Sequence, residues 1–272
     1  MEATKIFISL PFRTDGSEGE HPGCLKSFDS RHINRFITAL KKELRTVSEE
    51  SDDLLVKEIE IGNGSASHLT AEDLTDLIRV IQQSFHIDLK RTIRITMTPS
   101  GFDFYKLSAV RQMKNATISF ELPDLTDAGL YAAGYHCTGK QAIGALDTCF
   151  QNAFHDFAVF LTAKDMETVK AEEILKRILA AHPNEVELRP DAEQRFVRAM
   201  ERVLAEENWV QSERHWYRDR VPTPVRCTVQ IGCGPNAVSV FDHIPVRSTA
   251  DFDFYCEHSD DYEALVRHAE EE

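Results

Sequence analysis

From Lys5 to Glu207 the sequence alternates, six times over, between a short apolar stretch and a longer one whose apolar residues recur at helical spacing. A strand that must be followed by a helix before the next strand begins pairs with its neighbour in parallel, through a right-handed crossover. The alternation therefore predicts an α/β fold built on a parallel sheet, with loops at the C-terminal edge of the strands available to form a site. The clearest unit is 56–85, VKEIEIGNGSASHLTAEDLTDLIRVIQQSF. Its strand ends in a glycine-punctuated turn, Thr70 and Asp73 mark a capped helix start, and Leu74, Leu77, Ile78, Ile81 and Phe85 give the helix one apolar face.

The other units follow the same grammar. KIFISLP at 5–11 reads as a strand, a long polar and glycine-rich stretch follows it, and 31–44 reads as a helix with Ile33, Phe36, Ile37 and Leu40 on one side. Strands are predicted at 92–99, 116–122, 156–162 and 185–190, with helices at about 103–113, 139–154, 166–182 and 191–207. Phe196, Val197, Met200, Val203 and Leu204 supply the buried face of the last. Beyond Asn208 the pattern changes to short alternating stretches joined by VPTP, so 208–272 is predicted to be a small α+β appendage to a unit spanning 1–207.

Charge and hydropathy narrow the partners. A formal charge of −14 repels a phosphate backbone, which excludes nucleic acid as the expected partner. No stretch approaches the roughly 18 apolar residues of a membrane span, and MEATKIFISLPF has no basic lead into an apolar core, so a cytoplasmic protein is expected. The six cysteines include no CxxC pair and are expected to be reduced thiols.

Several groupings bear on chemistry. Gly62-Asn63-Gly64-Ser65 stands between a strand and a helix, where it either brings backbone N–H groups to an anionic ligand or uses glycine only for its dihedral freedom. Ser65 and His68 could pair as nucleophile and base, yet no third residue orients them. His21 with Cys24, and His136 with Cys137, lack the second half of a zinc signature, so no metal site is predicted. In SERHWYR, the residues Arg214, His215, Trp216, Tyr217 and Arg218 could stack on a flat ring, pair with carboxylates and offer an imidazole to iron, or could form an ordinary hairpin.

The order of these pieces resembles the radical S-adenosylmethionine (SAM) enzymes of the oxygen-independent coproporphyrinogen III oxidase family, which includes a heme-chaperone branch. LPF at 10–12 is similar to the family's IPF, and Gly62-Asn63-Gly64-Ser65-Ala66 to its Gly-Gly-Gly-Thr-Pro. HLTAEDLTDLIRVIQQSF matches the helix that follows, and Pro99 ends the third strand as the family's proline does. His136 to Ala142 resembles a His-Thr-x-x-Gln-Ala segment with one residue inserted, and IGCGPNAVSV resembles GxGxxAxS. The resemblance covers nearly the whole chain. It implies a partial (β/α)6 barrel over 1–207 and a coproporphyrinogen-oxidase-like α+β unit over 208–272.

The departures carry as much. The family holds a four-iron four-sulfur cluster with three thiolates in CxxxCxxC, whereas here Phe12 is followed by Arg13-Thr14-Asp15-Gly16 and the first cysteine is Cys24. At positions where the family contacts SAM this chain aligns Phe7, Thr96, Pro123, Gly134 and Phe160, each lacking the hydrogen-bonding or charged group. The resemblance then implies a pseudoenzyme that has lost cluster and SAM and acts by binding heme, a porphyrin or an active radical-SAM homologue. No residue is assigned to catalysis. Gly62, Asn63, Gly64 and Ser65 would be a vestigial SAM turn, and Arg214, His215, Gly232 and Gly234 would contact a tetrapyrrole. A cluster-independent enzyme acting at the barrel mouth and a scaffold protein are the alternatives. The vacated mouth is expected to fill with Phe7 and Phe160, leaving Arg13 to Lys26 with no metal to organise it.

Overall fold

Strands whose alternate residues are apolar bury one face, and here that face meets the crossover helices. The computed structural model describes residues 3–13, 24–25, 27–50, 54–161, 168–188, 194–223 and 226–271. Strands β1 (Ala3–Ser9), β2 (Leu55–Gly62), β3 (His86–Met97), β4 (Ala116–Leu122), β5 (Phe157–Leu161) and β6 (Glu185–Leu188) pair in parallel, each with the next. The helices between them are α1 (Ser30–Glu50), α2 (Ala71–Ser84), α3 (Phe104–Val110), α4 (Asp127–Ala132), α5 (Gly139–Gln151), α6 (Thr168–Leu179) and α7 (Gln194–Glu206). Because the strands are added in one direction through right-handed crossovers, the helices fall on one side of the sheet. Ile6, Ile8, Ile59, Ile61, Ile95, Met97, Ile118, Phe120 and Leu122 point to that side and are fully buried.

The remainder of the chain extends the sheet at both ends. A hairpin, β7 (Val210–Ser212) and β8 (His215–Tyr217), adds antiparallel to β6, while β9 (Val229–Cys233) adds parallel to β1. Beyond β9 come β10 (Val238–Phe241) and β11 (Ile244–Arg247), giving an open eleven-stranded sheet in the order β11-β10-β9-β1-β2-β3-β4-β5-β6-β8-β7. Helices α8 (Phe252–His258) and α9 (Tyr262–Glu271) follow, and Tyr255 packs against Phe36 of α1.

The predicted units are all present, with shifts at their ends. Helix α1 continues to Glu50, six residues past the expected stop, and β3 begins at His86 directly after α2. Helix α4 has only six residues, too few for periodicity to reveal. It forms because Thr126 accepts the Gly129 N–H, while Asp124 accepts from the Leu125 and Thr126 N–H groups and the Thr126 hydroxyl. No helix among the described residues is long and apolar enough to cross a membrane.

Candidate functional site

The site expected from the sequence lies where β9, β1 and β2 end side by side. Asn63 takes a left-handed conformation, φ 65°, and a Cβ on Gly64 would lie 2.4 Å from the Phe12 carbonyl oxygen and 2.5 Å from that of Leu10. The glycine is therefore demanded by the chain leaving β1. The turn's backbone is engaged in fastening that crossing. Leu10 N–H donates to the Gly62 carbonyl (2.8 Å), Ser65 N–H to the Phe12 carbonyl (2.8 Å), and Arg13 Nη1 to the Asn63 carbonyl (2.7 Å). Ser65 Oγ accepts the N–H groups of Ser67 (3.2 Å) and Thr98 (2.9 Å), tying the turn to the end of β3. His68 is no base for Ser65: its Nε2 is buried without a partner, its ring sets an edge to Phe28, and burial with Lys106 nearby pushes its pKa down to about 4.

The second glycine turn is held by the same strand end. Gly234 sits at φ +102°, where a Cβ would meet the Ser9 carbonyl oxygen at 2.3 Å. Ser9 Oγ donates to the Pro235 carbonyl (2.7 Å) and accepts from Asn63 Nδ2 (3.0 Å), so one serine joins both turns. Gly232 serves packing of β9 on β10: its Cβ would lie 2.7 Å from the Val238 backbone, and its N–H donates to Ser239 Oγ (3.0 Å).

The sheet face away from the helices carries charge. Lys5 Nζ pairs with Glu58 (3.0 Å) and Glu60 (2.5 Å). Arg94 reaches from β3 past two strands to Glu185 on β6 (2.8 Å), donates to Ser119 Oγ on β4 (3.0 Å), and lies 5.7 Å above the Phe160 ring. His215 Nδ1 bonds the other Glu185 oxygen at 2.6 Å and has Glu187 at 3.8 Å. Burial pushes the Glu185 carboxyl up, but His215 and Arg94 outweigh it and hold it below its usual value. The bond to Glu185 raises His215 in turn, so this histidine carries positive charge to higher pH than a free one.

Phe7 and Phe160, expected to fill the mouth, also lie on this face. Phe160 is buried, at 9% exposure, but it lies beneath the Arg94 guanidinium, and Phe7 is only half-buried between Lys5 and Ser9 on its own strand face. The same face carries the charge pairs of Lys5 with Glu58 and Glu60 and of Arg94 with Glu185. The pairs Arg94–Glu185 and Lys5–Glu60 escaped the sequence reading, their one signal being polar residues at positions alternating with the buried isoleucines. Of the other substituted positions, Thr96 is buried on β3, Pro123 follows β4, and Gly134 takes φ 79° at the end of α4.

The predicted ligand residues divide into two groups. Gly62 to Ser65 and Gly232 with Gly234 meet around Ser9, whereas Arg214 and His215 belong to the β7–β8 hairpin, six strands away in sheet order. Arg214 is exposed and its carbonyl accepts the Leu188 N–H (3.1 Å), which places it at the C-terminal end of β6 and so on the rim of the same mouth. His21 and most of Arg13 to Lys26 lie outside the described residues.

An iron–sulfur cluster requires thiolates, and the donor set here does not fit one. Residues 14–23 contain no cysteine. Cys149 and Cys233 are buried, and burial pushes Cys149 up to about 12 and Cys233 well above the usual thiol value. Among the described residues, no three His, Cys, Asp or Glu side chains are grouped to hold a metal ion.

No protein-family model matches the sequence, and no curated protein matches it. Solved structures do. Coproporphyrinogen III oxidase (HemN) from Escherichia coli, a radical SAM enzyme, superposes with a TM-score of 0.80 at 12% identity, over 97% of this chain and 70% of that one. SuiB of Streptococcus suis bound to S-adenosylmethionine gives 0.50 at 10% identity, over 75% of this chain and 44% of that one. At such identities the likeness is one of architecture: the chain has the mixed α/β, open-sheet fold of the radical SAM enzyme HemN.

Proposed function

We propose that this chain uses a radical-SAM-type scaffold for binding and carries out no radical chemistry. The observation that carries this reading is the donor set after β1, where Cys24 stands alone and a cluster needs three thiolates. Two features support it. The Gly62 carbonyl and Ser65 N–H of the first glycine turn bond the stretch that leaves β1, and Lys5 and Arg94 on the inner face are paired with carboxylates. Anaerobic reconstitution with iron and sulfide is expected to give no stoichiometric cluster and no reductive cleavage of SAM. Four irons per chain would overturn the reading.

The ligand we propose is heme or a porphyrin lying across the mouth, with its carboxylates toward exposed Arg214 and its ring near His215. Hemin or coproporphyrin is then expected to bind at about one per chain, more weakly to Arg214→Ala and His215→Ala than to surface glutamate variants. Equal affinity in all variants favours an active homologue as partner, or a scaffold. A second reading, cluster-independent chemistry, is favoured by the 2.6 Å Glu185–His215 pair, a carboxylate-oriented imidazole beside Tyr217. Mass analysis of porphyrin recovered after incubation separates the two: unchanged mass fits binding, and altered mass fits catalysis.

A further inference from the structure

On the helix-covered side of the sheet, between α1, β9 and α9, lies a cavity of about 100 Å³ walled by Val47, Ile231 and Leu265. Glu43 lines it and is only 3% exposed. Its Oε2 accepts the Tyr255 hydroxyl (2.6 Å) and the Gly234 N–H (2.9 Å), which leaves Oε1 buried with no partner. Buried polar atoms are nearly always satisfied, so a carboxyl oxygen enclosed without a partner beside this part apolar, part acidic cavity calls for a donor. Glu50 and Asp260 also line the cavity, and no lysine or arginine is among the described residues that do.

We propose that this cavity binds a small alkylammonium group, its cation on Glu43 Oε1 and its hydrocarbon chain against Val47, Ile231 and Leu265. The acidic lining selects a cation, and the apolar walls select a carbon chain over a bare metal ion, which would demand several oxygen ligands. The size fits about four heavy atoms, since a cavity of about 150 Å³ takes the six of benzene, so the ammonium and most of a four-carbon chain are enclosed. The groups facing Glu43 favour the same ligand. Tyr255 and Cys233 are held neutral by burial, the Tyr262 phenol is raised by burial, and Asp260 is paired with Lys42 at 2.8 Å. Burial pushes Glu43 up to about 7 against the bonds from Tyr255 and Gly234, so the empty site is near half-protonated at neutral pH and ionises when a cation enters.

The test is calorimetric titration of the full chain with n-butylamine at pH 6 and pH 8. Because the ionised carboxyl is the binding form, affinity is expected to be about tenfold higher at pH 8. Glu43→Gln keeps an acceptor for Gly234 and Tyr255 but removes the charge, and should weaken binding at least tenfold and abolish its pH dependence. Val47→Phe fills the cavity without touching the carboxyl and should abolish binding, so the proposal stays testable if the first variant folds poorly. n-Butanol should bind at least tenfold more weakly than the amine. Binding of Nα-acetyl-lysine amide alongside n-butylamine would assign the ammonium to a protein side chain, and binding of n-butylamine alone would assign it to a free amine. No binding of n-butylamine to the wild type, equal binding of butanol, or retained binding in Val47→Phe overturns the proposal.

Discussion

A methyl group placed on Gly64 or Gly234 would collide with backbone, and backbone cannot swing aside as the end of a side chain can. Gly234 adds a left-handed φ that an alanine resists. Gly64→Ala and Gly234→Ala are each expected to lower unfolding stability by about 2 kcal/mol or more. Gly144, inside α5 with nothing within 4 Å of its Cβ, is the control, and Gly144→Ala should raise stability by about 0.5–1 kcal/mol. Urea titration of the three variants checks both signs. His215 gives a pH prediction. Its folded pKa lies above the unfolded 6.5, so its contribution is complete below pH 6.5 and is lost as pH rises through the folded value. The urea midpoint of the wild type should therefore exceed that of His215→Asn by more at pH 6 than at pH 8.5; a gap that widens with pH would refute the Glu185–His215 assignment.

At the level of elements, the helix starts are chemically defined. Thr70 and Asp73 form a reciprocal capping box on α2, and Thr138 and Gln141 form another on α5. Thr70→Ala is expected to cost about 1 kcal/mol in thermal or urea unfolding, and Thr138→Ala a similar amount. The Thr70 cap was legible beforehand, as were all six strand–helix units, because apolar period and capping are properties of a few consecutive residues. What was not legible depends on distance along the chain. Arg94 and Glu185 are 91 residues apart and meet only once β3 and β6 occupy one sheet, so the guanidinium found over the Phe160 ring could not be read alongside the expected filling of the mouth by Phe7 and Phe160. Glu43 follows Phe36 and Leu40 at helical spacing and stands out as a breach in the buried stripe of α1, but its partner Tyr255 lies 212 residues on. Helix α4 escaped for the opposite reason, being too short to show a period.

For the whole molecule, the change of pattern at Asn208 marks a change of grammar, and the energetics say whether it is also a folding boundary. Residues after 208 supply β9, the second parallel partner of β1, and β8, the neighbour of β6. They also supply both donors to Glu43, so their removal would leave a carboxyl buried or force α1 to open. Trp209, Trp216, Ile231, Phe252, Tyr255 and Leu265, each at most 8% exposed, would lose their burial. At about 1.5–3 kcal/mol for each large side chain, the loss is on the order of 10 kcal/mol, the size of a typical domain's entire net stability. A chain ending at Glu207 is therefore expected to lack a cooperative urea transition and dispersed amide resonances, while the full chain unfolds in a single step. A sharp transition in the truncated chain, matching one of two steps in the full one, would instead establish two units that fold independently, with Glu43 and Ser9 as contacts between them and not members of one core.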